Sequence, residues 1–266
     1  MPALPFKTAS VVLVALVAVV LATLVAGCGA LVRGSGIIES RQQTYEGVSA
    51  LAVSGGFTVN LIRGHTREVS IRIDKRLKPF LRLVRDGHTV HLGLAPGNAY
   101  KGTVARAVVT LPWLRRVSAD GHSDVTVTGF YGDTPVTFAA SGSSSLTVQG
   151  LTLGTTTVRL SGRSSINGTL SAATLRLRMS DGSVSMLGGG LHRLLVRADG
   201  ASHGFMPNML TDRLRASLAG GSVLLATVFE RIDGSLSDGS SLKYLGHPVI
   251  GRLSSSGASQ LTAAGW

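Results

Sequence analysis

The sequence predicts an all-β chain folded as a parallel β-helix (β-solenoid), with about eight repeats of 18–21 residues in its C-terminal half. Three observations predict it. From Ile37 onward, short runs of β-forming residues alternate apolar with polar, the period of a half-buried strand. Past the N-terminal apolar run, no segment sustains a helical period. A turn of small residues also recurs at nearly constant spacing, as "SGSSSL" at 141–146, "SGRSSI" at 161–166 and "SGASQL" at 256–261. Fixed-period recurrence marks a stack of similar units.

The chain opens differently. Residues 9–27, "ASVVLVALVAVVLATLVAG", are uncharged and apolar, with Lys7 the only basic residue before them. This is the layout of a secretory signal. Its end, Val25-Ala26-Gly27-Cys28, resembles the bacterial lipobox, in which cleavage precedes the cysteine and the cysteine carries the lipid. We therefore expect a signal peptide at 1–27, lipid attachment at Cys28, a small-residue tether over 28–36 and a β-solenoid domain over 37–266. An uncleaved anchor is the rival reading, since about 20 apolar residues span a bilayer. Either way the membrane is a partner and the rest of the chain lies outside the cytoplasm. Cys28 is the one cysteine, which excludes an intrachain disulfide and a cysteine-cluster metal site.

The next elements are strands. "VSALAVSG" (48–55), "FTVNLIRG" (57–64), "EVSIRID" (68–74), "HTVHLGLA" (88–95) and "TVARAVVTL" (103–111) each alternate. "KRLKPFLRLV" (75–84) has a trace of helical pattern that Pro79 weakens, so it reads as a connector.

The repeats follow. Their turn glycines are Gly121, Gly142, Gly162, Gly182, Gly200, Gly220, Gly239 and Gly257, at intervals of 21, 20, 20, 18, 20, 19 and 18 residues. Two positions on stand Ser123, Ser144, Ser164, Val184, Ser202, Ser222, Ser241 and Ser259. Glycine turns the corner because it takes positive φ at no steric cost. Stacked corners would lay the serines in a ladder. Four positions after the glycine, Val125, Leu146, Ile166, Met186, Leu224 and Leu261 suggest an apolar core row. Gly204 and Lys243 interrupt it, so the register is expected to slip in those two coils. Leucine-rich and hexapeptide repeats are excluded, because their scaffold positions are missing.

Charge and chemistry narrow the function. The chain has 26 basic and 14 acidic residues, a formal +12, yet only 5% aromatics. The basic residues are scattered and stacking rings are sparse, so no nucleic-acid partner is expected. Arg176, Arg178, Arg193, Arg197, Arg213 and Arg215 precede successive corners and alternate with apolar residues. They predict an outward basic face for an anionic glycan, lipopolysaccharide phosphate or the membrane surface. The plainer reading is a solubilising face that also deters edge pairing. Asp181 and Asp199 precede the turn glycines of consecutive coils, so they are expected to stack near each other. A stacked carboxylate pair could bind a cation or serve glycan cleavage, but acid–base work needs separated pKa values and a cleft. Asp120 and Asp238 lie in distant coils. The seven histidines form no metal motif, no GxSxG elbow occurs, and "MLGGGL" (186–191) reads as a wide corner and not a phosphate loop. No cofactor, metal or catalytic residue is expected.

Three stretches carry a resemblance to a known family. They are "VRGSGIIESRQQTYEGVSALAVSGGFTVNLIRG" (32–64), "LPWLRRVSADGHSDVTVTG" (111–129) and "LSDGSSLKYLGHPVIGRLSSSGASQL" (236–261), where an aromatic-x-Gly-x-Pro step precedes the last repeat. In this order they resemble the auto-transporter adhesin head GIN domain family of bacterial envelope proteins. The resemblance implies a right-handed β-helix and a role in adhesion or surface interaction, with no catalytic residues to carry over. The expected function is a non-catalytic exported envelope protein, an adhesin-like binding module whose ligand is an anionic glycan or another envelope protein. The rivals are a carbohydrate-active enzyme on a β-helix and a purely structural envelope lipoprotein.

Overall fold

The computed structural model describes residues 30–265. The apolar run at 9–27 and Cys28 lie outside them. The described chain is a β-solenoid of about seven turns. Long strands Ser145–Leu160, Ser165–Met179, Val184–Ala198, His203–Leu218 and Val223–Leu236 stack in parallel, each hydrogen-bonded to the next. Among the described residues, no helix is long and apolar enough to cross a membrane.

One coil shows how the sequence makes the shape. In Ser165–Met179 the buried side chains are Ile166, Leu170, Ala172, Leu175, Leu177 and Met179. Strand alternation holds within 170–172 and 175–179 and breaks between them, so the chain bends where the period breaks. The bend after Ile166 needs a glycine. Gly168 has φ +120°, and an added Cβ would lie 1.9 Å from the Val148 carbonyl oxygen of the neighbouring coil.

Stacking aligns side chains into rows. One core row runs Val59, Val125, Leu146, Ile166, Ser185, Gly204, Leu224, Leu242 and Leu261. The expected row needs two corrections. Ser185 takes the place expected for Met186, which is half exposed, because the corner before it is shifted by one residue. No slip occurs at Gly204; it stands in the row. The volume that Ser185 and Gly204 leave is taken by Met206, whose sulfur accepts from Ser185 Oγ at 3.9 Å, and by Met179. The slip expected at Lys243 does occur, and Leu242 fills that position.

The N-terminal part closes one end. Thr58–Arg63 pairs in parallel with Asp124–Thr128 and with Ala105–Leu111. Beyond these the sheet turns antiparallel through Glu68–Asp74 to Ile38–Thr44. The segment read as a connector contains a 3-10 helix, Lys75–Phe80, which includes Pro79 and buries Leu77. It leads into strand Leu81–Asp86, antiparallel to Thr89–Leu94. Residues in the stretch read as a tether are docked. Leu31–Arg33 pairs with Ala99–Lys101, and Ser35 and Gly36 donate to the buried carboxylate of Asp74.

Candidate functional site: serine corners and an arginine groove

Each repeat corner holds two consecutive residues with positive φ. The pairs are Gly121-His122, Gly142-Ser143, Gly162-Arg163, Asp181-Gly182, Gly200-Ala201, Gly220-Gly221, Asp238-Gly239 and Gly257-Ala258. A serine follows every pair: Ser123, Ser144, Ser164, Ser183, Ser202, Ser222, Ser240 and Ser259. Val184 and Ser241 are therefore out of register. In the two Asp-Gly corners glycine is the second member of the pair, so counting from it shifts the frame by one. Asp181 and Asp238 take the left-handed conformation that aspartate tolerates. Ser180 Oγ and Ser237 Oγ donate to their carboxylates at 2.9 and 3.0 Å.

The serine hydroxyls are structural. Ser123 N–H donates to Ser144 Oγ at 3.1 Å, Ser144 N–H to Ser164 Oγ at 3.2 Å, and Ser202 N–H to Ser222 Oγ at 3.3 Å. Ser123 Oγ accepts from Gly56 N–H at 3.2 Å and donates within its own corner to the Asp120 carbonyl at 2.7 Å, as Ser202 Oγ does to the Asp199 carbonyl at 2.7 Å. Apart from Ser259, each corner serine is buried. They link coils and are shut away from any substrate.

Asp181 and Asp199 do not form a matched pair. Asp199 stands before its corner, stacked on Ser180, while Asp181 lies inside its corner beside Gly200. The hollow near them is lined by Asp199 with Arg159, Arg178 and Arg197, and not by Asp181. Asp120 likewise stands before its corner and accepts from Ser141 Oγ at 2.8 Å. Among the described residues, no three His, Cys, Asp or Glu side chains are grouped to hold a metal ion.

The arginines form columns on the run of each coil that precedes the corner. Arg159, Arg178 and Arg197 stack in register, continued by Ser217 and Ser235. Arg176, Leu195, Arg215 and Asp233 form the adjacent column, and Arg193, Arg213 and Arg231 a third. Arg176, Arg178, Arg197 and Arg215 line one groove of about 850 Å³, together with Arg231, Asp233 and Arg252. Arg193 and Arg213 face a second hollow, with His192, Asp212 and Glu230. There Arg213 pairs with Glu230 at 2.7 Å and His192 with Asp212 at 2.8 Å. The six arginines of the sequence reading thus divide between two hollows.

One end of the groove holds an ion pair. Asp233 accepts two bonds from Arg231, at 2.6 and 2.8 Å, and one from the Arg252 backbone N–H at 2.7 Å. The Arg231 bonds and then the Arg252 bond hold its carboxyl down at about 2. Asp233 is thereby committed, and among the described residues Arg159, Arg176, Arg178, Arg197, Arg215 and Arg252 make no ion pair. Sequence reasoning missed Arg159, Arg231, Asp233 and Arg252. For Arg159 a signal existed: it lies two residues before Ser161, as Arg178 does before Ser180 and Arg197 before Asp199.

The family described as "Putative auto-transporter adhesin, head GIN domain" matches residues 47–248. The chain belongs to this family. Solved structures share the head GIN fold at low identity. A "putative adhesin" from Parabacteroides merdae is 14% identical, with TM-score 0.75 over 89% of this chain and 99% of that one. Another from Parabacteroides distasonis is 13% identical, with TM-score 0.78 over 88% of this chain and 100% of that one. A "putative lipid binding protein" from Parabacteroides distasonis is 15% identical, with TM-score 0.70 over 88% and 99%. No curated protein matches the chain. At these identities the likeness is one of fold. What this head GIN domain binds is therefore argued from its own surface.

Proposed function

We propose that this head GIN protein is an exported, non-catalytic binding module of the bacterial envelope, lipidated at Cys28, with the arginine groove as its recognition surface. The carrying observation is the groove itself. It gathers Arg176, Arg178, Arg197 and Arg215, with Asp233 as its one lining acid and that acid already paired. A face built only for solubility gains nothing from stacking arginines in register, since like charges opposite one another in a sheet are unfavourable. An anionic ligand would relieve that repulsion. The adhesin family supports a binding role at a surface. The non-catalytic reading follows from the offset between Asp181 and Asp199 and the burial of the corner serines. The signal layout of residues 9–28 supports export and lipidation.

The test has two arms. Cells fed labelled palmitate should label wild type and not Cys28→Ser. Purified full-length protein should bind isolated envelope material, and Arg176→Ser with Arg215→Ser should weaken that binding roughly tenfold. Equal binding by that variant would remove the groove from the function.

A further inference from the structure

The geometry points to the ligand class: a linear acidic glycan lying along the solenoid axis, one acid group per coil, with a sugar face on Leu195. This rests on the groove being the recognition surface.

Arg159, Arg178 and Arg197 are successive partners in the parallel register. Neighbouring strands are about 4.8 Å apart. Three arginines therefore leave the backbone at the coil spacing along one line, Arg178 and Arg197 into the groove and Arg159 into the adjoining hollow that Asp199 also lines. An extended chain of pyranose rings advances by a similar distance per ring. In a uronate polymer successive carboxylates advance at that pitch while turning about the chain axis, so they would meet arginines of adjacent columns in turn, and each arginine is suited to bidentate recognition of a carboxylate.

The adjacent column has a gap in its charge. Leu195 points outward and is half-buried, between Arg176 and Arg215 of the neighbouring coils. Arg193 and Arg197 flank it on its own strand, on the same face. A lone apolar side chain framed by four arginines matches a sugar ring, whose C–H face is apolar and whose edge carries the acid.

The shape of the surface suits a glycan and not a membrane. Lipid headgroups meet a flat or convex basic surface beside apolar side chains that can enter the bilayer. This basic surface is a groove, and its other lining residues include Ala216, Ser217, Gly234 and Ser235. Met186 and Phe205 lie exposed on the run just after the serine corner, Leu210 and Phe229 farther along their strands, and Val249 and Ile250 on the strand that carries Arg252. None of these exposed apolar side chains lines the groove, so the basic surface offers a bilayer nothing to receive. The groove ends at Arg231, Asp233 and Arg252, which sets one limit to the bound chain.

The test uses full-length protein in detergent with oligogalacturonates, from dimer to decamer, by calorimetry. Affinity should rise with chain length, level off once the groove is spanned, and fall as salt is added. Arg178→Ser with Arg197→Ser should lose roughly tenfold or more in affinity and melt no lower than wild type, since it removes repulsion. Leu195→Ser should weaken binding several-fold with the salt dependence unchanged. Arg82→Ser, remote on the capping strand, should change nothing. Length-independent affinity, or no loss in the double variant, overturns the glycan proposal. So does groove-dependent binding to phosphatidylglycerol vesicles without binding to the oligomers. If envelope binding still depends on Arg176 and Arg215 in that case, the recognition surface stands and only the ligand class falls.

Discussion

Asp74 shows how one carboxylate can hold two segments. It accepts from Ser35 N–H at 2.7 Å, Ser35 Oγ at 2.9 Å, Gly36 N–H at 3.0 Å and Arg76 N–H at 2.9 Å. Burial pushes its pKa up, but the bonds from Arg76, Ser35 and Gly36 together outweigh that and leave it below the usual carboxylate value. A carboxyl depressed in the folded state stabilises above its unfolded pKa, and that stabilisation is lost as pH falls through the folded value. Asp74→Asn should therefore lower the melting temperature at neutral pH. The deficit relative to wild type should shrink in acid, and a pH-independent deficit would refute this role. The corner serines make a second case at this scale. Ser164→Ala removes one of two acceptors of the Ser144 N–H, which also donates to the Ser141 carbonyl at 3.2 Å, so it should cost about 0.5–1.5 kcal/mol in denaturant unfolding. Ser165→Ala, at a half-exposed neighbouring position, should cost under about 0.5 kcal/mol.

At the scale of the coil, packing follows rows and not single strands. The row through Leu146 and Ile166 narrows at Ser185 and Gly204 and widens again at Leu224. Met206 and Met179 fill the narrow part; unbranched thioether side chains suit an irregular gap. Met206→Ala should cost about 2–5 kcal/mol, because nothing nearby can replace its volume. Gly204→Ala should cost far less, since its Cβ would meet the mobile end of Leu224. The strands and the repeat were legible because alternation and turn chemistry are local. The antiparallel strand Ile38–Thr44 was not: "IESRQQT" is polar, and only its pairing with Glu68–Asp74 makes it a strand.

For the whole molecule, the two ends differ. The first coils are covered by the antiparallel strands and by Leu77 of the 3-10 helix. The last strands, Val249–Ser255 and Gln260–Ala263, leave Val249 64% and Ile250 38% exposed. Between them the solenoid carries different chemistry on different sides. Arginines occupy the run before the serine corner, and Met186 and Phe205 the run after it. A linear scaffold of this kind offers an extended surface rather than a closed cleft.

The amino-acid sequence by itself determined the class of fold, the period and the corner, because positive φ and strand alternation are properties of a few adjacent residues. The six outward arginines were legible for the same reason. The tertiary structure decided the register. Asp181-Gly182 and Asp238-Gly239 place their glycine one step later than the other corners, and only hydrogen bonds between coils reveal that offset. Register then decided everything that depends on stacking. It put Ser185 and not Met186 in the core, and it separated Asp181 from Asp199. It joined Arg159, Arg178 and Arg197 into one column while sending Arg193 and Arg213 to another. A side chain's neighbours in a solenoid lie about 20 residues away along the chain, so a one-residue shift at a corner changes every partner that follows.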